Sequence, residues 1–353
     1  MEHVGIDLGG RKSRVCVRTA QGEILEERTV ATESIAPYLA KRPPSRVILE
    51  TCAEAFCVAD YVKALAPVHD VRVVPSTLAP ALGVGARRMK NDTRDARALS
   101  EASTRIELQS VHIKRLPARE AQSLCASREA LVRARVLLIN NVRGWMRQSL
   151  IRVATGATYS FPKRLREYLE KDPNGYPSFI DPMLSAVDAL TSQIDALTAQ
   201  VRARAQHDPI CRRLMTAPIG PNTAVALMAT IDSIDRFDSA HRFEAFLGLT
   251  PGENSSSERQ RTTGITKAGS SRVRRLLVQC CWSMLRTKPD DPVSVWAKAL
   301  AERRGKRIAI VAMARRLAGI LWAMWKRQTD YDPNYIAKQK QSAPTSQDSP
   351  LPT

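Results

Sequence analysis

Val4–Gly10 reads VGIDLGG. The first four residues are a short, mostly apolar run ending in an acid, and two adjacent glycines follow one residue later. Such a run predicts a buried strand with Asp7 at its carboxyl end, where Gly9 and Gly10 allow close backbone approach. Downstream, Ser13–Arg18 (SRVCVR) alternates in polarity, and the turn at Gln21-Gly22 leads into Ile24–Val30 (ILEERTV), which alternates again. Ser34–Leu39 is helix-like, Arg46–Glu50 (RVILE) reads as a buried strand, and Ala53–Leu65 as a helix. Val71–Val74 (VRVV) gives another strand and Ala96–Ser103 another helix.

Three linked strands followed by alternating helix and strand is the ribonuclease-H-like order. A doubly wound parallel sheet is the competing α/β arrangement. Both place acids at strand ends, so the order of elements does not by itself decide the chemistry.

Four carboxylates stand out within this region. Asp7 ends the first strand, and Glu50 ends the fourth in Leu49-Glu50-Thr51. Asp92 and Asp95 lie three apart in Lys90–Arg97 (KNDTRDAR), on one face of a helix. Carboxylates from separate elements can converge on two Mg²⁺ ions, held about 3.5–4 Å apart, in phosphoryl transfer. Taken singly, Asp7 suits a turn cap, Glu50 a solvated position and the last pair a helix start. GIDLGG is also like the first phosphate loop of actin-like sugar kinases, but neither a second phosphate loop nor a late adenosine-binding glycine motif is present.

The chain has 353 residues, with 54 Lys and Arg against 35 Asp and Glu, a net charge of +19. That excess fits a polyanion such as nucleic acid and fits a nucleotide-plus-sugar enzyme poorly. Aromatic residues make up only 5%, which argues against a broad base-stacking platform. Seven scattered cysteines with no CxxC pair suit reduced thiols in the cytoplasm. No secretory leader is expected, because Met1 runs almost directly into a strand. Ile308–Trp325 is interrupted by Arg315 and Arg316, so it reads as a packed helix and no membrane partner is expected.

The middle of the chain is helical. Leu124, Leu131, Leu138 and Trp145 recur every seventh residue, and Leu190, Ile194, Leu197 and Val201 follow a 4-3-4 spacing. Thr158–Pro177 holds Pro and Gly breakers that turn the chain back into an antiparallel hairpin. Such an arm suits dimerisation, a grip on a guide nucleic acid, or a spacer. Beyond Met215, helices are expected at Asn222–Ile231 and Ala240–Leu247, then a loop from Pro251 to Ser271 and two further basic helices. The tail rich in Gln, Ser and Pro is expected to be disordered.

Within that loop, Glu253–Gly269 reads ENSSSERQRTTGITKAG. A serine hydroxyl needs activation to act as a nucleophile, and neighbouring guanidinium groups can hold a scissile phosphate. Residue types alone leave this segment open between a nucleophilic loop and a solvated or phosphate-binding one.

These segments together resemble the insertion-sequence family one-hundred-ten transposases, over roughly residues 1 to 330. The resemblance rests on GIDLGG, LET, KNDTRDAR, APIGPNTAVAL, FEAFLGLTP, ENSSSERQRTTGITKAG, VRRLLVQCCW and RRGKRIAIVAMARRLAGILWAMW, in that order. It implies a RuvC-like ribonuclease-H-fold domain over 1–110, with Mg²⁺ on Asp7, Glu50, Asp92 and Asp95. It further implies a coiled-coil helical arm over 111–210 and a mainly helical transposase domain carrying the serine loop over 211–330, which leaves 331–353 as the tail whose composition predicts disorder. The family's serine is usually followed by Ser or Thr and then Gly. That alignment selects Ser255 as nucleophile with Ser256 as the alternative; Ser257 replaces the usual Gly, and Ser270 stands where Asn is common. The phosphate-facing set would be Arg259, Arg261, Lys267, Arg272, Arg274 and Arg275. The implied partners are donor and target DNA, a structured bridge RNA as guide, and further copies of the chain as a dimer or tetramer. A junction-resolving nuclease using the carboxylates alone and a non-catalytic nucleic-acid scaffold are the other readings.

Overall fold

The computed structural model describes residues 1–82, 91–104, 108–171, 175–253 and 262–334. They divide into two compact units, Met1–Arg115 and the unit beginning at Leu116. The expected tail lies outside the described residues from 335 onward.

The first unit is built on a five-stranded mixed sheet. Its strands are β1 (Glu2–Asp7), β2 (Lys12–Arg18), β3 (Ile24–Ala31), β4 (Ser45–Glu50) and β5 (Asp70–Val74), in spatial order β3-β2-β1-β4-β5. β1, β2 and β3 form an antiparallel meander, while β4 and β5 run parallel to β1. The sheet is therefore not the all-parallel alternative. The helices are α1 (Ile35–Leu39), α2 (Ala55–Leu65) and α3 (Asp92–Ala102).

Alternation along the strands sorts side chains onto two faces. Val4, Ile6, Val15, Val17, Val47, Leu49, Val71 and Val73 pack on one face with Ile35 and Leu39 of α1 and Val58 and Val62 of α2. Ile48 and Val74 pack on the other face with Leu99 and Ala102 of α3. Gly5 lies on this second face, at the point where α3 crosses. A Cβ at Gly5 would stand 2.2 Å from the Ser100 nitrogen and 2.3 Å from the Ala96 oxygen. Only glycine lets the helix approach the sheet so closely.

The second unit opens with two long helices, α4 (Leu116–Gln148) and α6 (Ile180–His207), which pack against each other. Arg204 donates to the Pro117 carbonyl, Arg128 to Thr198 Oγ1 at 2.8 Å and Arg135 to Thr191 Oγ1 at 3.2 Å, so the pair is antiparallel. The seam differs from the heptad expected on α4. Leu124, Leu131, Leu138 and Trp145 are only part-buried, whereas Ala121, Cys125, Ile139, Val142 and Met146 are buried. Each end of the hairpin meets a third helix, which rotates the buried stripe away from a two-stranded register. Nor is the chain between them only a breaker segment. α5 (Phe161–Leu169) inserts Phe161, Leu165 and Leu169 against Ile139, Val142, Ile180 and Leu184.

The remaining helices are α7 (Pro209–Leu214), α8 (Pro221–Ile231), α9 (Ala240–Phe246), α10 (Ser271–Thr287), α11 (Pro292–Arg304) and α12 (Lys306–Arg327). Three helices follow the loop where two were expected, because Asp291 caps a fresh start with Pro292 at its first turn. α12 is the one described helix long and apolar enough to cross a membrane by length and composition. It contributes Ile310, Met313, Leu317, Leu321 and Trp325 to the core of this unit, beside Val273, Leu277 and Cys281 of α10.

Candidate functional site

The parallel register of β1 and β4 pairs Ile6 with Leu49. Asp7 and Glu50 follow one residue later on adjacent strands, and both fall on the α3 face by alternation. Hydrogen bonding fixes the loops that carry the chain away from them. Gly9 N–H donates to Ser13 Oγ at 3.3 Å, and Thr32 Oγ1 donates to the Gly9 carbonyl at 2.7 Å. A Cβ at Gly9 would lie 2.3 Å from the Lys12 oxygen, which explains the glycine at this turn. Beyond Glu50, Thr51 N–H donates to the Val74 carbonyl at 2.9 Å, and Thr51 Oγ1 accepts from Ser76 N–H at 2.9 Å.

Three contacts give the direction of α3. Ser103, just past its end, bonds His3 Nδ1 at 2.8 Å, near the start of β1. Ala96 and Ser100 lie over Gly5, and Ser100 also accepts from Arg18 Nε at 3.0 Å. The helix therefore runs opposite to β1, and its first turn reaches the sheet end where Asp7 and Glu50 stand. Asp92 and Asp95 occupy that turn, behind an N-cap in which the Asn91 side chain accepts from Thr93 N–H. Negative side chains are favoured at a helix N-terminus, so the pair also suits its local structure. Asp95 is buried, at 2% exposure, while Asp92 is exposed.

All four expected carboxylates thus lie on one face at one end of the sheet, as two pairs. Among the described residues, no group of three or more His, Cys, Asp or Glu is gathered closely enough to hold a metal ion. In kind the set fits a hard divalent cation: every donor is a carboxylate oxygen, and neither thiolate nor imidazole stands among the four.

In the second unit, the loop expected between Pro251 and Ser271 contains two paired strands, β6 (Pro251–Glu253) and β7 (Thr262–Ile265). Ser255, Ser256, Ser257, Arg259 and Arg261 lie outside the described residues. The base of this hairpin is crossed tightly. Thr266 N–H donates to the Thr250 carbonyl and Lys267 N–H to that of Gly248. Gly248 has φ +69° and would place a Cβ 2.2 Å from the Ala268 oxygen, while Gly269 has φ +67° and would place one 2.1 Å from the Phe246 oxygen. Lys267 also has positive φ.

The basic residues at this end of α10 have protein partners. Arg274 donates through one terminal nitrogen to the carbonyls of Leu247, Ala268 and Gly269, pinning the crossing. Arg272 and Arg275 both donate to Glu129 of α4, which also accepts from Arg133. Burial works to raise the Glu129 pKa, but hydrogen bonds from Arg272, Arg133 and Arg275 outweigh it and hold the carboxyl at about 2. The sequence offered no sign of Glu129 beyond its spacing of four from Arg133. Ser270 caps α10 by accepting from Val273 N–H, a role Asn also fills well, which accounts for serine where asparagine is common.

Residues 4–151 match the family model of a DEDD transposase of the IS110 type, and residues 211–293 match that of the transposase IS116/IS110/IS902 family. The chain is similar to the transposase for insertion sequence element IS1111A of Coxiella burnetii. They are 28% identical over 342 residues, which cover 93% of this chain and 90% of that protein. It is also similar to the transposase for insertion sequence element IS1328 of Yersinia enterocolitica, at 27% identity over 334 residues, 92% of this chain and 97% of that one. The class is that of transposases, enzymes that cleave and rejoin DNA. Within it, the chain carries transposase domains of the IS110/IS116/IS902 type.

Proposed function

We propose that this transposase recombines donor and target DNA for an insertion sequence by joining itself covalently to DNA through a serine. The first unit acts as a ribonuclease-H-like (RuvC-like) domain, and Asp7, Glu50, Asp92 and Asp95 would hold Mg²⁺. The ion supplies electrostatic stabilisation of charge developing on a phosphodiester. Ser255, with Ser256 as the alternative, attacks the phosphorus. The new bond joins serine Oγ to phosphorus, the bond from phosphorus to one deoxyribose oxygen breaks, and the serine proton ends on the released hydroxyl. Rejoining reverses these changes with a different DNA end, so no external energy source is required.

The observation that carries this reading is the arrangement of the acids: two elements of the sheet and the start of α3 bring four carboxylates to one face and one end. β6 and β7 flank the serine segment, and Gly248, Gly269 and Arg274 fix the backbone at their base. Partners follow the same reading: a structured bridge RNA selects the sequences, and copies of the chain assemble as a dimer or tetramer in the cytoplasm.

The deciding experiment incubates the full chain, with its co-purified RNA, with labelled DNA and Mg²⁺, then looks for protein–DNA adducts that survive denaturation. Wild type should give an adduct that maps to Ser255 or Ser256, and Ser255→Ala with Ser256→Ala should give none. DNA cleavage by that double variant without an adduct would point to hydrolysis by the carboxylates alone.

A further inference from the structure

We propose that the cavity between α4, α8 and α10 is a phosphodiester-binding site in which Glu129 occupies the place of the phosphate. The cavity measures about 160 Å³ and is lined by Arg128, Glu129, Asn222, Arg272, Arg275 and Gln279, among others. At roughly 30 Å³ per water, it has room for a group of about five heavy atoms. Arg272 and Arg275 sit three apart near the start of α10, so they share one face toward the electropositive end of a 17-residue helix. Arg133 of α4 adds a third guanidinium to this one carboxylate, and Arg128 lies on the cavity wall with its Nε donating to Thr198 Oγ1.

A clamp that served only to join α4 to α10 would be balanced by one arginine. Here the positive charge is in excess, and the polar wall adds the side-chain amides of Asn222 and Gln279. Guanidinium forks match the two free oxygens of a phosphodiester as they match a carboxylate. Both groups carry one negative charge, so the exchange leaves the local charge balance unchanged. The rim is open: the Arg275 side chain is 47% exposed and that of Arg133 71%, against 13% for Glu129. Incoming nucleic acid can therefore meet the outer arginines first and displace Glu129 from the inner ones. Glu129 acts as an internal competitor that weakens binding to arbitrary sequence.

The inference rests on the nucleic-acid-binding reading of this protein, and the test separates the two. The full chain is titrated with a duplex DNA of arbitrary sequence and with a single-stranded RNA, each over a range of salt concentrations. Glu129→Gln should raise affinity about tenfold, the scale of one added charge-assisted contact. It should also steepen the salt slope by about 0.9 for duplex DNA or about 0.7 for a single strand. The nucleic acid whose slope changes is the one that enters the cavity. Binding by wild type with no gain in Glu129→Gln overturns this inference alone, whereas no binding by wild type overturns the functional reading. Should Glu129→Gln fail to fold, wild type melted in inorganic phosphate at fixed ionic strength gives the second readout. A rise in Tm that Arg275→Gln abolishes supports the site, and no rise overturns it.

Discussion

Asp7 and Glu50 stand one residue beyond the paired Ile6 and Leu49, on neighbouring parallel strands and on the face that α3 covers. Adjacent strands lie about 4.8 Å apart, so the two side chains leave the sheet as neighbours on one face without any loop to position them. Two like charges this close repel, and a bound divalent cation relieves that repulsion. Mg²⁺ should therefore stabilise the folded first unit. At 100 times its Kd the ion contributes about 2.7 kcal/mol, readable as a rise in Tm. Asp7→Asn and Glu50→Gln should each reduce the rise. Equal rises in wild type and both variants would remove the metal from these residues.

The same variants bear on activity. Each removes one charged donor from the proposed site while keeping side-chain shape, so strand joining should fall by at least about 10²-fold, the scale for losing one group that stabilises transition-state charge. A plasmid recombination assay measures the loss, and far-ultraviolet circular dichroism checks that the sheet survives. Full recombination by Asp7→Asn would exclude the carboxylates from the chemistry.

Gly5 tests how α3 is held. A methyl group there meets the backbone of Ala96 and Ser100 at 2.2 to 2.3 Å, and backbone cannot rotate aside as a side chain can. Gly5→Ala should destabilise the first unit by about 1–3 kcal/mol or more. It should also lower recombination, because displacing α3 moves Asp92 and Asp95 away from the sheet end. A urea melt equal to wild type would show that α3 yields at no cost.

Much of this was legible in the sequence, for reasons that differ by element. Short apolar runs revealed β1 and β4 and put Asp7 and Glu50 at their ends, while period-two alternation revealed β2 and β3. The antiparallel course of α3 was not legible: it depends on Gly5 meeting Ala96 and Ser100, about ninety residues away. α5 was hidden because Pro162 reads as a breaker, although in the first turn of a helix proline is well tolerated. The heptad on α4 misled by one position, since its packing partners include α8 and α5 as well as α6. Strand β7 was missed within a polar loop, where Thr262, Thr263 and Ile265 were its only β-formers.

Arg274 separates backbone support from phosphate contact. Sequence grouped it with Arg272 and Arg275 as phosphate-facing, yet its guanidinium bridges three carbonyls at the hairpin base. Arg274→Ala should lower stability by about 1–3 kcal/mol, the range for hydrogen bonds from a charged donor. The salt slope of DNA binding should stay as in wild type. A slope reduced by about 0.9 at unchanged stability would instead return Arg274 to the phosphate-contacting set.

Glu129 gives the chain a pH dependence whose sign follows from its arginine partners. Its carboxyl titrates at about 2 when folded, below the ordinary value of 4.5, because the hydrogen bonds from Arg272, Arg133 and Arg275 overcome the opposing effect of burial. A depressed carboxyl stabilises the fold fully above its unfolded pKa, and that contribution is lost as pH falls toward the folded one. Stability should thus decline between about pH 4.5 and about pH 2 as Glu129 takes up its proton and releases the clamp. Other carboxylates held low by arginine, Glu26, Glu27 and Asp70, add slopes of the same sign in the first unit. The Glu129 share is isolated by comparing acid melts of wild type and Glu129→Gln, followed through tryptophan fluorescence; every tryptophan lies in the second unit. The variant should be less stable at neutral pH and converge on wild type near pH 2. Parallel curves across the whole window would show that Glu129 titrates alike in folded and unfolded chains.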